Sequence, residues 1–312
     1  MYAIGIDIGG MSIKAGLVKD GKMVDCNRKT TAPTSDLAIE GIVEQINELL
    51  VKNSLSIKDI RGIGLGAPGL VSSESGVVEY CPNINWNKVP VVDILRKKFD
   101  TEIKLSNDAN VAALGEARFG AGAKFNSSIM LTLGTGVGSG IIIDGKLFEG
   151  GESKGSELGH MVIKVGGEKC GCGRRGCLES YASATALIRI TKNAMSEDEK
   201  SAMWQFVGGD IDKVDGRTAF ECAKSGDGTA NKVVDEYVSY LAEGIMNLAN
   251  IFRPETFILG GGVSAQGKYL TDKLKAYCEK YEYGYKYAPK SDIVTATLGN
   301  DAGIIGAAAL VL

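Results

Sequence analysis

Short, nearly continuous apolar runs that close on glycine recur along the chain. They are Tyr2–Ile8 before Gly9-Gly10, Ile60–Gly66 before Ala67-Pro68-Gly69, Ile129–Leu133 before the 134–138 turn, and Glu255–Leu259 before Gly260-Gly261-Gly262. Runs of this length with glycine at the end predict buried strands. Leu37, Ile42, Val43, Ile46, Leu49 and Leu50 instead keep helical spacing, which predicts an amphipathic helix over 36–52. Further helices are expected from near Pro90, from Asn107-Asp108 to about 119, near 180–195 and 229–251, and from Asp301 onward. Strands over 12–18, 23–29, 102–105, 140–143 and near 293–297 complete the pattern.

Two stretches repeat one another. Strand, glycine turn, strand and Asp-Gly-Lys run as Gly9…Gly16…Asp20-Gly21-Lys22 and again as Gly134…Gly140…Asp144-Gly145-Lys146. Such hairpins also recur by chance, but a matched spacing points to duplication and so to two similar α/β domains. The expected division is a smaller N-terminal domain over 1–118, with the helix of 299–312 packing back on it, and a larger one over 119–298.

Charge alters this picture little. Lys and Arg number 35 against 38 Asp and Glu, a net charge of −3 with both signs scattered, so no nucleic-acid partner is expected. No run approaches the roughly 18 apolar residues of a membrane helix, and Met1–Ile8 lacks the layout of a secretory leader. No membrane association and a cytoplasmic location are the expectation.

Seven cysteines, an odd number without a leader, argue against a disulfide framework. Cys170, Cys172 and Cys177 fall within eight residues, ten residues after His160, the single histidine. Three thiols and an imidazole satisfy tetrahedral zinc, and the glycines between them let a tight loop wrap the ion. Four protein ligands leave no open position, so the zinc reads as structural; buried free thiols or a redox pair are the alternatives. With His160 committed to metal, no Ser-His or Cys-His nucleophile is available and a general base should be a carboxylate. Asp108, at a helix start, is the candidate, with a plain N-cap as its structural alternative.

The two glycine turns, Gly9-Gly10 and Gly134-Thr135-Gly136, can aim backbone N–H groups at phosphate, although tight turns are the commoner use of such glycines. Asp7, closing the first strand, is suited to Mg²⁺ directly or through water. Ser12 and Lys14 on the next strand complete the candidate phosphate set, and Gly261 and Gly262 are candidates for the nucleotide side. The chain has no Walker-type Gly-x-x-x-x-Gly-Lys loop, and its glycine turns join strands and open no helix, which argues against a Rossmann site.

Together these motifs resemble the ROK family (repressors, open reading frames, kinases) of sugar kinases, nearest its bacterial-type glucokinases, over essentially the whole chain. The resemblance rests on Asp7-Ile-Gly-Gly10, Gly66-Ala-Pro-Gly69, Asn107-Asp108-Ala-Asn110, Gly134-Thr-Gly136, Glu157-Leu-Gly-His160, the cysteine segment to Glu179, Gly260-Gly-Gly262 and Leu298-Gly-Asn-Asp301-Ala-Gly303. It implies an actin-like (ribonuclease H-like) two-domain fold with sugar and nucleotide in the interdomain cleft. It implies ATP-dependent phosphorylation of a hexose, glucose first, with Asp108 as the base on the 6-hydroxyl. Asn83, Asn107, Glu157, His160 and Glu179 would contact the sugar, His160, Cys170, Cys172 and Cys177 would hold zinc, and Mg²⁺ would enter with ATP. A homodimer or homotetramer is implied as well.

N-acetylmannosamine, N-acetylglucosamine, mannose and allose kinases share much of this pattern, and the donor is open between ATP, another nucleotide and polyphosphate. Met11 stands where the family pattern has Thr, a loss for which Ser12 offers a substitute hydroxyl, and it motivates a non-catalytic sugar sensor as a remote alternative. A repressor is not expected, because the first strand begins at Tyr2 and leaves no room for a helix-turn-helix segment.

Overall fold

The computed structural model describes all 312 residues. Its first strands are β1 (Tyr2–Ile8), β2 (Ser12–Lys19) and β3 (Lys22–Thr30). β1 and β2 are apolar and buried, whereas β3 alternates exposed and half-buried residues, as an edge strand should. α1 (Ser35–Lys52) follows, capped by Thr34, and packs Ile39, Ile42, Ile46 and Leu49 into the core. Then come β4 (Ile60–Ala67), β5 (Leu70–Ser72), β6 (Val77–Cys81), β7 (Trp86–Val89), α2 (Val91–Arg96), β8 (Glu102–Asn107) and α3 (Asp108–Phe119). The sheet order is β3-β2-β1-β4-β8, with β1 antiparallel to β2 and parallel to β4, and β4 parallel to β8. β5, β6 and β7 form a small antiparallel sheet of their own.

The pattern then recurs. β9 (Ser128–Leu133), β10 (Val137–Ile143) and β11 (Lys146–Phe148) are followed by α4 (Glu179–Ala182), α5 (Ala184–Glu197), α6 (Ala202–Phe206), α7 (Thr218–Lys224) and α8 (Gly228–Phe252). β12 (Thr256–Gly260), α9 (Lys268–Tyr281), β13 (Asp292–Thr295) and α10 (Ala302–Ala309) complete the chain. The second sheet has the order β11-β10-β9-β12-β13, strand for strand the arrangement of the first. This is the duplicated α/β arrangement that the repeated glycine pattern predicts, and it agrees with the actin-like (ribonuclease H-like) fold that the family resemblance implies.

Two compact units emerge: Met1–Ile129 with Gly140–Ser156 and Thr297–Leu312, and Met130–Ser139 with Glu157–Ala296. In the first, α10 lies on β1, β4 and α3. A Cβ at Gly5 or Gly64 would overlap the carbonyl oxygen of Ile304 or Ala307, so helix backbone rests on strand backbone and only glycine fits. The fully buried Glu116 on α3 accepts from the N–H groups of Ala121 (2.8 Å), Thr297 (2.8 Å) and Leu298 (2.7 Å), which ties α3 to the segment entering α10. In the second unit, α8 is capped by Asp227 and buries Val234, Tyr237, Leu241 and Ile245.

Several elements go beyond the sequence expectation. The sheet of β5–β7 is hidden in strands of three to five residues, too short for a clear period. α9 buries only Leu270, Thr271, Leu274 and Cys278, leaving a sparse apolar stripe in a polar segment. No helix is long and apolar enough to cross a membrane.

Candidate active site and metal centre

In the first unit, β1 delivers Asp7 next to Lys14 of β2, with Lys14 Nζ 3.3 Å from Asp7 Oδ2. The Asp7 carboxylate also faces the start of α10, where a Cβ on Gly303 would lie 3.0 Å from its Cγ. The intervening turn closes by Gly9 N–H donating to Ser12 O at 3.0 Å. Met11 projects outward, 84% exposed, while Ser12 is buried. Two further bonds hold this turn from the residue that follows β3: Thr31 N–H donates to Met11 O (3.1 Å) and Thr31 Oγ1 to Gly9 O (2.6 Å).

Asp108 is the first residue of α3, and the capping oxygen belongs to its neighbour. Asn107 Oδ1 accepts from the N–H groups of Ala109 (2.9 Å) and Asn110 (3.4 Å), and its Nδ2 donates to Gly69 O at 3.2 Å. The N-cap alternative for Asp108 therefore passes to Asn107. Asp108 Oδ1 accepts from Ala109 N–H at 2.8 Å. Gly69, with φ +84°, needs glycine both for its backbone and because a Cβ would press on Cys81. Burial, and the charge of nearby Asp108, push the Cys81 thiol up, against bonds from the Ile84 and Asn83 N–H groups. Asn83, Asn107 and Asp108 thus gather around the Gly66–Gly69 turn.

The second unit holds the other group. Glu157 precedes a short 3₁₀ turn, Leu158–His160, which Leu158 N–H anchors on Ser139 Oγ at 3.0 Å. Gly159 lies so close to the Val137 carbonyl that no Cβ fits. His160 Nδ1 is 3.6 Å from Cys170 Sγ, Cys172 Sγ is 3.7 Å from Cys177 Sγ, and the four ligand atoms all lie within 4.8 Å of one another. Ligands about 2.3 Å from a tetrahedral ion stand about 3.7 Å apart, so the donor set fits zinc. Gly173 and Gly176, at φ +91° and +86°, make the bends that turn the thiols inward. Burial, together with the adjoining Cys172 and Cys170, pushes the Cys177 thiol up to about 12, a position that a divalent cation reverses.

Glu179 joins this cluster to the glycine turn. Its Oε1 accepts from Cys170 Sγ at 3.5 Å and its Oε2 from Val137 N–H at 3.1 Å, and a Cβ at Gly136 would overlap that oxygen. The turn's carbonyls are held from α5: Ala184 N–H donates to Gly134 O (2.8 Å) and Thr185 Oγ1 to Thr135 O (2.9 Å). Gly261, at φ +78°, packs on the Leu133 backbone beside the same turn, and Gly262 opens the next 3₁₀ turn. His160, the three cysteines, Glu179 and Gly134–Gly136 therefore form one continuous group. Neither Thr31 nor Thr185 is marked by the sequence, since a lone threonine carries no spacing signal.

The model of the ROK family matches residues 3–312. The chain is 38% identical over 320 residues to a glucokinase of Halalkalibacterium halodurans, covering 99% of this chain and 94% of that protein. It is 36% identical over 313 residues to a glucokinase of Thermotoga maritima, covering 99% and 96%. Among solved structures, a ROK family glucokinase from Streptomyces griseus in complex with glucose and AMPPNP matches with a TM-score of 0.81 at 34% identity, over 99% of both chains.

Proposed function

Since the chain belongs to the ROK family, we propose that it is a sugar kinase transferring the γ-phosphoryl group of ATP to the 6-hydroxyl of glucose. The observation that carries the reading is Asp108 at the start of α3, beside a capping Asn107, in a chain that resembles glucokinases over its full length.

Asp108 accepts the proton of the 6-hydroxyl as that oxygen attacks phosphorus and the bond to ADP breaks. In a loose transition state the proton leaves late, so an ordinary carboxylate suffices if it is well aimed. Asn83 and the uncommitted amide hydrogen of Asn107 bind neighbouring hydroxyls. Glu157, His160 and Glu179 bind others, and an isomer that leaves one of these groups unpaired is rejected. The Gly9-Gly10 and Gly134-Thr135-Gly136 turns, with Ser12 and Lys14, hold phosphate oxygens, and Gly261 and Gly262 border the nucleoside. Asp7 binds the Mg²⁺ that enters with ATP, directly or through water.

His160, Cys170, Cys172 and Cys177 would hold a structural zinc, which fixes the loop and orients His160. The protein is further proposed to be cytoplasmic, a homodimer or homotetramer, and a source of glucose 6-phosphate for glycolysis.

A coupled ADP-release assay with MgATP against glucose, mannose, allose and the N-acetylhexosamines tests the reading. Turnover with glucose at the highest kcat/KM supports it. Preference for another of these sugars removes glucose, and silence across the panel removes ATP as the donor and leaves a different phosphoryl donor or a sugar-binding protein.

A further inference from the structure

Each glycine turn is gripped from outside by a threonine hydroxyl. Thr31 Oγ1 donates to Gly9 O at 2.6 Å, and Thr185 Oγ1 donates to Thr135 O at 2.9 Å. In both turns a backbone N–H of the same flank takes a second carbonyl, Thr31 N–H that of Met11 and Ala184 N–H that of Gly134. The N–H groups of Gly10, Met11, Thr135 and Gly136 make no hydrogen bond within their own unit.

From this we infer that Thr31 and Thr185 are positioning residues for the nucleotide phosphates, one for each turn, a reading that rests on the kinase assignment above. A peptide turn can show an anion either its N–H groups or its carbonyl oxygens, and only the first attracts phosphate. A hydroxyl that binds a carbonyl from behind holds that oxygen away and fixes the peptide plane. It also polarises the peptide, so that the N–H on its far side becomes a better donor. Neither threonine touches the phosphates in this account; each acts through the turn that it grips. The arrangement also explains how the first turn accommodates Met11. The residue that sets the turn's carbonyls is Thr31, just past the end of the neighbouring strand, and the side chain at position 11 extends into solvent.

Thr31→Val and Thr185→Val remove the hydroxyl and keep the shape, whereas Thr31→Ser and Thr185→Ser keep the hydroxyl. With the full-length, zinc-replete protein, each valine variant should raise KM for MgATP about fivefold to tenfold, the worth of one hydrogen bond. KM for glucose should stay within about twofold, and each serine variant should restore MgATP affinity; titration with MgADP should show the same order. Valine variants with unchanged MgATP and MgADP affinity would overturn the inference. So would parallel rises in both KM values, or serine variants as impaired as valine. A wild type that neither turns over MgATP nor binds MgADP would bring down the kinase reading and this inference together. An active wild type with indifferent valine variants brings down this inference alone.

Discussion

The backbone N–H of Val137 donates to Glu179 Oε2 at 3.1 Å, while the other oxygen of that carboxylate meets Cys170 Sγ at 3.5 Å. One side chain thereby couples the end of a glycine turn to the Cys/His cluster. Glu179→Ala should raise KM for glucose and for MgATP together, each by roughly tenfold or more, since a bond to a charged group is lost on both sides. Steady-state kinetics with each substrate varied check this. A change in the glucose term alone would show that Glu179 serves the sugar without supporting the turn.

Metal content tests the cluster directly. The wild type should carry about one zinc per chain by atomic absorption, and Cys172→Ser should lose it. Because loop order depends on the ion, that variant should melt about 5 °C or more below wild type, with a weakened glucose KM. A zinc-free wild type with full activity would refute the structural-zinc assignment.

Asp108→Asn separates chemistry from folding. Asn107 supplies the cap and an asparagine at 108 can still accept from Ala109 N–H, so thermal stability should match wild type. kcat should fall by about 10²–10⁴-fold, the usual worth of a general base, with little change in glucose KM. Asn107→Ala should instead cost about 1 kcal/mol of stability through the lost cap. Denaturant melts and kinetics on the two variants distinguish the roles, and an active Asp108→Asn would exclude the residue as base.

Glycine at position 64 is required by space. Gly64→Ala places a methyl group on the Ala307 carbonyl, so the variant should fail to accumulate as soluble protein or melt far below wild type. Gly41, inside α1 with open space around it, provides the contrast: Gly41→Ala should stabilise by up to about 1 kcal/mol. Equal melting temperatures for the two variants would contradict the close helix-on-sheet packing.

Much of this was legible in the chain itself. Strands such as Tyr2–Ile8 announce themselves as apolar runs closed by glycine, and the Cys/His spacing implies a metal centre before any coordinates are known. The features that stay hidden in the chain depend on contacts that the sequence does not display. Whether Asn107 or Asp108 caps α3 turns on which side chain reaches back to Ala109 and Asn110, and both residue types cap well. The Thr31 and Thr185 grips depend on strand and helix placement, to which a single hydroxyl in the sequence gives no clue. Glu116 looks like a surface residue of an ordinary helix until Thr297 and Leu298, far along the chain, arrive to bond it.

The seating of α10 on Gly5 and Gly64 has a consequence for biosynthesis. The first unit lacks its last layer until Thr297–Leu312 has been made, and the ribosome reaches that segment only after the whole of Glu157–Ala296. At ordinary elongation rates the delay is on the order of ten seconds. During that interval the backbone of β1 and β4 stands uncovered on one face, so the nascent N-terminal half is the stretch most in need of chaperone protection.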